Sequence, residues 1–230
     1  MNKRLYRAVV AVGGGVFRAL DVRRTVVGLE HVPTEGPFVL AISHFSYLDF
    51  AFVGHPLLRE RGRYARFLGI KASFEHPLSG PLMRAAGHIP VDRSAGSHAY
   101  DAAVEALRAG DVVALFPESR VSTSFTLLPF KTGAARMAAA AGVPVVVAVV
   151  WGSHRILTRG HRSLRRGVPV TVVFGEPVHI AQEEWDAGTA KLERVTADLL
   201  AQAQGTYPQR LPAGAWWVPA HLGGGAPAPD

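Results

Sequence analysis

The chain of 230 residues contains no cysteine. Disulfide bonds, cysteine-ligated metal sites and a thiol nucleophile are therefore excluded. The absence is compatible with a reducing compartment such as the cytoplasm. A catalytic group in this chain must then be an imidazole, a hydroxyl, an amine or a carboxylate.

Several motifs of well-known enzyme classes are also missing. The three glycines at 13–15 have neither the spacing nor the preceding strand of a glycine-rich phosphate loop. The chain has no Gly-x-Ser-x-Gly motif, which argues against a serine hydrolase. Its ten histidines include no His-x3-His or His-x4-His pair. We therefore predict no bound metal and no cofactor.

The chain lacks a hydrophobic run long enough to cross a bilayer. Its uncharged N-terminal stretch, 8–17, has ten residues, whereas a spanning helix needs about twenty. No small-x-small cleavage site follows, which argues against a signal peptide. Basic residues on both sides fit an interfacial segment on an anionic bilayer, and a packed amphipathic first helix fits equally well. We predict that residues 1–24 are membrane-associated, with peripheral or monotopic attachment to the cytoplasmic face of the cell membrane.

Acidic residues are few compared with basic ones. The 18 Asp and Glu residues face 25 Lys and Arg residues, which leaves a net charge of +7. This excess predicts an anionic partner, such as an anionic membrane surface or a phosphorylated substrate. We do not expect a nucleic acid partner, since the arginines are scattered and no nucleic-acid-binding module is recognisable.

Apolar runs and helical patterns alternate along the rest of the chain. Strands are predicted at 38–42, 65–70, 88–91, 111–116, 143–150 and 168–174, and helices from 49 onward and at 77–86, 97–109, 132–141 and 183–204. This alternation predicts a single α/β domain, 25–210, with a mostly parallel or mixed central sheet covered by helices on both faces. Residues 211–230, rich in Pro, Gly and Ala, are expected to form a loose tail, whose Trp216 and Trp217 either dock on the domain or touch lipid.

A histidine and an aspartate stand at the end of the first of these buried strands. His44 and Asp49 are five positions apart, a spacing that points the two side chains apart on a regular helix. They meet if His44 lies in the loop after the strand and Asp49 lies in the first turn of the next helix. Ser46 supports that helix start, since Ser-x-x-Asp is typical of a capping box. The pair is then a general base with its orienting group; the alternative is a buried histidine beside a helix-capping aspartate.

Four stretches resemble, in order, the sequence blocks of the glycerolipid acyltransferase family, whose best-known members are the 1-acylglycerol-3-phosphate acyltransferases. The first block is H-x4-D, here His44 to Asp49, and the second is a glycine, an apolar stretch and an arginine, here GHIPVDR at 87–93. The third is F-P-E-G-T-R-S, here FPESRVS at 116–122, followed by the family-like PFKTGAA at 129–135. The fourth is an apolar stretch around a proline, here VPVV at 143–146. The resemblance extends from about 38 to 177.

The resemblance implies a role for each residue at a matching position. His44 is implied as the general base and Asp49 as its orienting group, without a covalent acyl-enzyme. Substrate binding is implied for six residues, with Arg93 and Lys71 at the acceptor phosphate and Glu118 at the glycerol hydroxyls: Lys71, Gly87, Arg93, Glu118, Ser119 and Arg120. Pro144 and Val145 are candidates for the acyl path, although a plain core strand is the default interpretation there. The other interpretations are an Arg93–Asp92 ion pair, a solvated Lys71 and a Glu118–Arg120 pair.

The third block departs from the family pattern. Where the family has Gly-Thr-Arg after the glutamate, this chain has Ser119, Arg120 and Val121, so the arginine comes one position early. In an extended segment that shift sends the side chain to the opposite face. Arg120 reaches the site only if the backbone there is a turn. The departure affects the choice of acceptor headgroup more than the reaction.

The resemblance implies acyl transfer from acyl-CoA or acyl carrier protein to the free hydroxyl of a lysophospholipid, and first of all to 1-acylglycerol-3-phosphate. The sequence does not distinguish the two thioester donors. An acyltransferase of the same fold acting on another lysolipid or a glycolipid is the alternative that the altered third block favours. A basic module that binds membranes or carries lipid without catalysis is the alternative from another class.

Overall fold

The computed structural model describes residues 1–92 and 96–229. Its α-helices, in chain order, are α1 (Lys3–Ala19), α2 (Asp49–Arg61), α3 (Lys71–Glu75), α4 (Ser79–Ala85), α5 (Gly96–Arg108), α6 (Gly133–Ala141) and α7 (Trp185–Gly205). Its strands are β1 (Arg23–Val27), β2 (Val39–Ile42), β3 (Ala65–Ile70), β4 (Ile89–Val91), β5 (Val112–Leu115), β6 (Val145–Trp151), β7 (Leu157–Thr158), β8 (His161–Arg162) and β9 (Pro169–Phe174). Short 3₁₀ turns lie at Leu29–His31, Ser153–Arg155 and Ala220–Leu222.

Seven of these strands form one sheet in the order β1-β9-β6-β2-β5-β3-β4. Five of the six neighbouring pairs are parallel, including β1 with β9, and the pair of β6 with β9 is antiparallel. The central strands β2, β5 and β6 are buried along their whole length, as expected for valine-rich strands covered on both faces. The predicted mostly parallel or mixed sheet is confirmed. The remaining strands, β7 and β8, form a separate hairpin.

Two apolar layers cover the two faces of the sheet. Along β2, Leu40 and Ile42 join a core that includes Phe52 of α2, whereas Val39 and Ala41 join a core that includes residues of α5, α6 and α7. Side chains that alternate along a strand in this way point to opposite faces. The prediction of helices on both faces is therefore confirmed.

Helix α1 packs on the domain and still leaves an apolar stripe uncovered. Phe17 stacks on Phe52 with 4.2 Å between ring centroids, and the Tyr6 hydroxyl donates to the carbonyl oxygen of Ala65 at 3.2 Å. The valines at positions 9, 12 and 16 are exposed, and their spacing places them along one side of the helix. Within the residues described, no helix has the length and apolar character needed to span a bilayer.

The C-terminal segment is packed against the domain, which contradicts the expectation of a loose tail. Trp217 and Val218 are buried in a core shared with Phe45 and Trp151, and Trp216 stacks on His161 with 3.9 Å between centroids. Burial of a tryptophan removes a large apolar area from water, enough to order a segment otherwise rich in glycine and proline. Trp216 and Trp217 thus dock on the domain, the first of the two interpretations given for them.

The parallel strands β2 to β6 end at the same edge of the sheet, because they share one direction. The loops that follow them therefore meet there, as at the ligand-binding edge of other open α/β sheets. His44 follows β2, Lys71 follows β3, the turn at 116–122 follows β5, and the turn at 152–155 follows β6. Most of the residues singled out from the sequence are thus carried to one place.

Candidate active site

The structure brings His44 and Asp49 together in the way that the sequence spacing predicts. Strand β2 ends at Ile42 and α2 begins at Asp49, so the loop between them turns the chain back on itself. The Nδ1 atom of His44 lies 3.4 Å from Oδ2 of Asp49. Asp49 favours the tautomer that carries its proton on Nδ1, which leaves Nε2 of His44 as an acceptor.

The carboxylate of Asp49 is fully buried and held by several donors. Its Oδ2 atom accepts from the backbone N–H groups of Phe45 at 2.8 Å and Ser46 at 2.7 Å. Its Oδ1 atom accepts from the hydroxyl of Ser153 at 2.6 Å. Ser46 Oγ accepts from the backbone N–H of Leu48 at 3.0 Å. The helix N-cap is Leu48, without a side-chain cap bond, so the capping box predicted at Ser46 is not formed. The bonds to Asp49 offset the cost of burying the charge and fix the direction of the carboxylate.

The imidazole of His44 lies between this carboxylate and an open cavity. Its ring stacks on Phe116 with 3.8 Å between centroids and 19° between planes. Its side chain keeps 17% of its surface exposed, and His44 lines the cavity. The stacking and the Asp49 contact together fix the plane of the ring. A base of this kind needs such an orientation toward a substrate proton.

Glu118 braces the backbone of the same loop. Its Oε1 accepts from the N–H of His44 at 2.8 Å, and its Oε2 accepts from the N–H of Leu128 at 2.9 Å. Burial raises the pKa of this carboxyl to about 8, although the two amide donors act in the opposite direction. The resemblance implies that Glu118 contacts the acceptor's glycerol hydroxyls. In the structure, Glu118 is only 4% exposed, and each of its carboxyl oxygens accepts a hydrogen bond from a backbone amide. Glu118 ties the turn after β5 to the turn after β2.

The cavity beside His44 has a volume of about 540 Å³, within the range of small-molecule sites. Its wall is largely apolar and comes from α2, β3, α4, β4 and β5: Phe50, Phe67, Met83, Val91 and Leu115. His88 also lines it, and burial lowers the pKa of that imidazole to about 4 while its Nδ1 accepts from the N–H of Phe67 at 3.1 Å. His88 therefore adds no charge to the wall at neutral pH, and the largely apolar wall suits a hydrocarbon chain.

Two further cavities adjoin the first and carry cations. One, of about 620 Å³, is lined by Lys131 and Arg136 together with Tyr100. The other, of about 570 Å³, is lined by Arg120 and Lys131. Ser119 lines all three cavities, so they meet at the turn after β5. The site thus combines an apolar compartment with a basic approach.

The turn at 118–121 accounts for the altered third block. Ser119 has a φ of 59°, a left-handed conformation that glycine adopts without steric cost. Glycine is the residue that the family pattern has at this place. Val121 is buried, whereas Arg120 is exposed and lines the third cavity. The condition stated for Arg120, a turn in the backbone, is therefore met.

Of the other predicted binding residues, Lys71 lies at the rim of the site. Lys71 begins α3 and donates to Oδ2 of Asp92 at 2.9 Å, a bond that raises the pKa of its ammonium group. Gly87 forms a tight turn with a φ of 74° against Met1, but it precedes β4 and therefore lies at the amino end of that strand, away from His44. This placement corrects the substrate-binding prediction for Gly87. Arg93 lies outside the described residues.

Pro144 and Val145 are placed far from His44 along the sheet. Val145 pairs with Val39 at the amino end of β2, whereas His44 follows the carboxyl end. Val145 is fully buried in the core, and the cavity beside His44 is formed by other side chains. The placement corrects the acyl-path prediction: Val145 begins a core strand, and Pro144 directly precedes it.

Sequence reasoning missed several residues of the site. Ser153 lies 104 positions from Asp49, and no spacing rule joins two residues so far apart. Phe116 stood inside the third block, but nothing in the sequence indicated that its ring stacks on His44. Among the residues that the structure describes, no three His, Asp or Glu side chains group as metal ligands.

Comparison with known proteins agrees with this geometry. A model of the Acyltransferase family matches residues 23–151, more than half of the chain. The chain is 30% identical over 158 residues to a chloroplastic 1-acyl-sn-glycerol-3-phosphate acyltransferase of Brassica napus, covering 67% of this chain and 44% of that protein. It is 25% identical over 177 residues to the 1-acyl-sn-glycerol-3-phosphate acyltransferase of Bacillus subtilis, covering 76% and 79%. The chain thus spans less than half the length of the plant relative.

A solved structure has the same architecture. The crystal structure of PlsC, the 1-acyl-sn-glycerophosphate acyltransferase of Thermotoga maritima, superposes with a TM-score of 0.70 at 21% sequence identity. The superposition covers 88% of this chain and 81% of that one. At this identity the likeness concerns the fold.

Proposed function

The chain belongs to the acyltransferase family, and from that premise we propose that it transfers a fatty acyl group from an acyl thioester to the free hydroxyl of 1-acylglycerol-3-phosphate, giving phosphatidic acid. The observation that carries the proposal is the His44–Asp49 pair at the mouth of an apolar cavity. The printed activities of the Brassica and Bacillus relatives support the choice of acceptor.

The chemistry needs a base and no covalent enzyme intermediate. Nε2 of His44 accepts the proton of the acceptor hydroxyl while its oxygen attacks the thioester carbonyl carbon. The carbon–sulfur bond of the resulting tetrahedral intermediate then breaks, and the imidazolium returns its proton to the leaving thiolate. Asp49 stabilises the transient imidazolium from the Nδ1 side. The products are an ester and a free thiol.

The cavities suit the two ends of the substrates. The apolar compartment beside His44 accepts a hydrocarbon chain, because its wall is formed by phenylalanine, methionine, valine and leucine side chains. The basic approach formed by Arg120, Lys131 and Arg136 suits phosphate groups. We assign the acceptor phosphate to Arg120 and Lys71, together with Arg93 as the resemblance implies. The donor is acyl-CoA or acyl carrier protein, which are both anionic.

The altered third block favours a second candidate, an acyltransferase that acts on another lysolipid or on a glycolipid. Val121, buried in this chain, stands where the family pattern has an arginine. The turn still carries one arginine, Arg120, but one position earlier, so its guanidinium suits an anionic headgroup placed differently from that of 1-acylglycerol-3-phosphate. The fold and the base are the same in both candidates.

The decisive experiment is an acceptor panel. Purified protein is incubated with palmitoyl-CoA and, in turn, lysophosphatidic acid, lysophosphatidylglycerol, lysophosphatidylcholine or a glycolipid, while thiol release and the acylated product are measured. We expect the highest kcat/KM with lysophosphatidic acid. A higher value with another acceptor would establish the second candidate. No thiol release with any acceptor or donor, together with vesicle binding, would establish the non-catalytic lipid-binding module instead.

We also propose that the mouth of the site rests on an anionic membrane surface, at the cytoplasmic face of the cell membrane. Apolar side chains stand partly exposed around it: Tyr47, Phe50, Ile70 and Leu78. Exposed apolar groups beside a basic cavity are typical of lipid-interface proteins. Leu78→Asp is expected to weaken co-sedimentation with phosphatidylglycerol vesicles several-fold, whereas Leu164→Asp, at another exposed leucine, is the matched control. Equal binding by the two variants would contradict this placement.

A further inference from the structure

A serine beyond the family-matched region reaches the catalytic carboxylate. The hydroxyl of Ser153 donates to Oδ1 of Asp49 at 2.6 Å, and both residues are fully buried. Gly152 makes this approach possible: its φ is 99°, and a Cβ there would lie 2.3 Å from the carbonyl oxygen of Pro169. The backbone after β6 therefore turns sharply inward at a position that requires glycine.

The bond from Ser153 controls how the carboxylate of Asp49 is turned. The other oxygen, Oδ2, faces Nδ1 of His44 and two backbone amides. With a donor on each oxygen, the carboxylate cannot rotate about its Cβ–Cγ bond without losing a hydrogen bond. Removing the hydroxyl leaves Oδ1 buried without this donor and takes away one of the contacts that restrain that rotation. Ser153 thus acts on His44 through Asp49.

The turn that carries Ser153 is held from behind by the C-terminal segment. Nε2 of His154 donates to the carbonyl oxygen of Trp217 at 3.0 Å. Burial lowers the pKa of His154 to about 3, so the imidazole is neutral and this nitrogen carries its proton. His154 is fully buried, so the contact is shielded from water. One end of the turn is thereby anchored to Trp217.

Arg155 anchors the other end of the turn. Its Nη1 donates to the Tyr207 hydroxyl at 2.9 Å and to Oε1 of Gln209 at 2.7 Å. Its guanidinium lies 4.1 Å from the ring centroid of Trp217. Tyr207 in turn donates to the carbonyl oxygen of Pro169 at 2.8 Å. The segment at 207–218 therefore joins the turn to the sheet.

We propose that Ser153 is a positioning residue for acyl transfer and that the C-terminal segment, 207–218, keeps it in place through the turn Ser153–Arg155. The inference rests on the proposed function, since it concerns the same histidine–carboxylate pair. Both the serine and its support lie beyond residues 23–151, the region that the family model matches.

The first test replaces the hydroxyl. Ser153→Ala is expected to lower kcat about tenfold and leave KM for both substrates within twofold, because a buried charged group loses one hydrogen bond. Ser153→Cys, which keeps a weak donor, is expected to lie between Ala and wild type, and it serves as the measurable variant if the alanine protein does not fold. Unchanged kcat in the folded variants would overturn the role.

The second readout needs no substrate. The ¹⁵N shifts of the His44 imidazole, assigned with His44→Gln, report the fraction of the tautomer protonated on Nδ1. We expect that fraction to fall in Ser153→Ala. An unchanged fraction would overturn the positioning role, whatever the assays give. Inactivity of the wild type with a shifted tautomer in the variant would overturn only the proposed function.

A matched control separates positioning from simple loss of a buried hydroxyl. Thr196 is fully buried, and its hydroxyl donates to the carbonyl oxygen of Leu192 within α7 at 2.6 Å. Thr196→Val is expected to lower the melting temperature without changing kcat or the His44 tautomer. An equal loss of kcat in Thr196→Val would show that the Ser153 effect is one of stability, and would overturn the inference.

The role of the C-terminal segment is tested by coupling. Arg155→Met keeps an apolar stem and removes the bonds to Tyr207 and Gln209; it is expected to lower kcat about threefold with KM unchanged. In the Ser153→Ala background the same change is expected to cause no further loss of kcat, because the two act through one bond. Losses that multiply in the double variant would overturn the link between the segment and Ser153.

Discussion

The acidic side chains that follow β2 and β5 are buried, whereas the ion pair formed by residues after β3 and β4 is accessible to solvent. Asp49 and Glu118 are buried, and each carboxylate accepts at least two hydrogen bonds. Lys71 and Asp92 form an ion pair in which the lysine side chain is 55% exposed. The first region, called the corner below, is fixed by short, shielded contacts, and the second is a rim where water and salt reach the charges.

Under the proposed function, this difference gives the two regions separate parts of the reaction. In the corner, a displaced group changes the alignment of the imidazole that reacts, so substitutions there should act on kcat. At the rim, an exposed cation contributes mainly to the approach and holding of an anionic headgroup, so substitutions should act on KM. Each of the following predictions tests one side of this division.

The largest effect is expected at His44. His44→Ala should lower kcat by roughly 10²–10⁴-fold, the contribution of a positioned base, with KM little changed. The measurement is thiol release from acyl-CoA, with circular dichroism to establish that the variant is folded. His179→Ala, at an exposed histidine after β9, is the control and should keep full activity. Full activity in folded His44→Ala would contradict the role of His44 as the base.

The buried carboxyl group of Glu118 should make the stability of the protein depend on pH. Because burial raises the pKa of Glu118 to about 8 from an ordinary 4.5, the folded protein binds more protons than the unfolded chain between these values. The free energy of unfolding therefore falls as pH rises through this window, by at most about 1.4 kcal/mol per pH unit. Glu118→Gln should remove this component of the slope in urea denaturation. The exposed Glu105→Gln is the control, and equal slopes for wild type and Glu118→Gln would contradict the assignment.

The smallest effect is expected at the rim. Lys71→Met should raise KM for lysophosphatidic acid about three- to tenfold and leave kcat within twofold, because one exposed cation is lost. The difference from wild type should shrink at high salt, where such charges are screened. Lys191→Met, at an exposed lysine of α7, provides the comparison. A fall in kcat with KM unchanged would place Lys71 in the corner instead of the rim.

The elements with strong local patterns were predictable from the sequence. The strand before His44 follows from an apolar run, and the meeting of His44 with Asp49 follows from the predicted loop between that strand and the start of α2. Helix α5 follows from an apolar stripe ended by Gly110. In each case the physical cause lies within a few residues of its effect.

The rest depends on contacts that no local pattern contains. Strand β1 begins with Arg23 and Arg24, and it becomes a strand because β9 pairs with it. The C-terminal segment is ordered by burial of Trp217 against a turn formed much earlier in the chain. Ser153 follows Gly152, where the carbonyl oxygen of Pro169 lies too close for any side chain. Long-range packing overrides the local preference in all three places.

The position of β9 has a consequence for how this protein is made. Strand β1 at the sheet edge has β9 as its neighbour, and β9 separates it from β6. A nascent chain that has left the ribosome up to residue 151 contains all the residues that the family model matches, yet it does not contain the strand that joins β1 to the sheet. The first strand must therefore wait for residues 169–174 before it can dock. The region that the family model matches thus ends before the strand through which β1 joins the sheet.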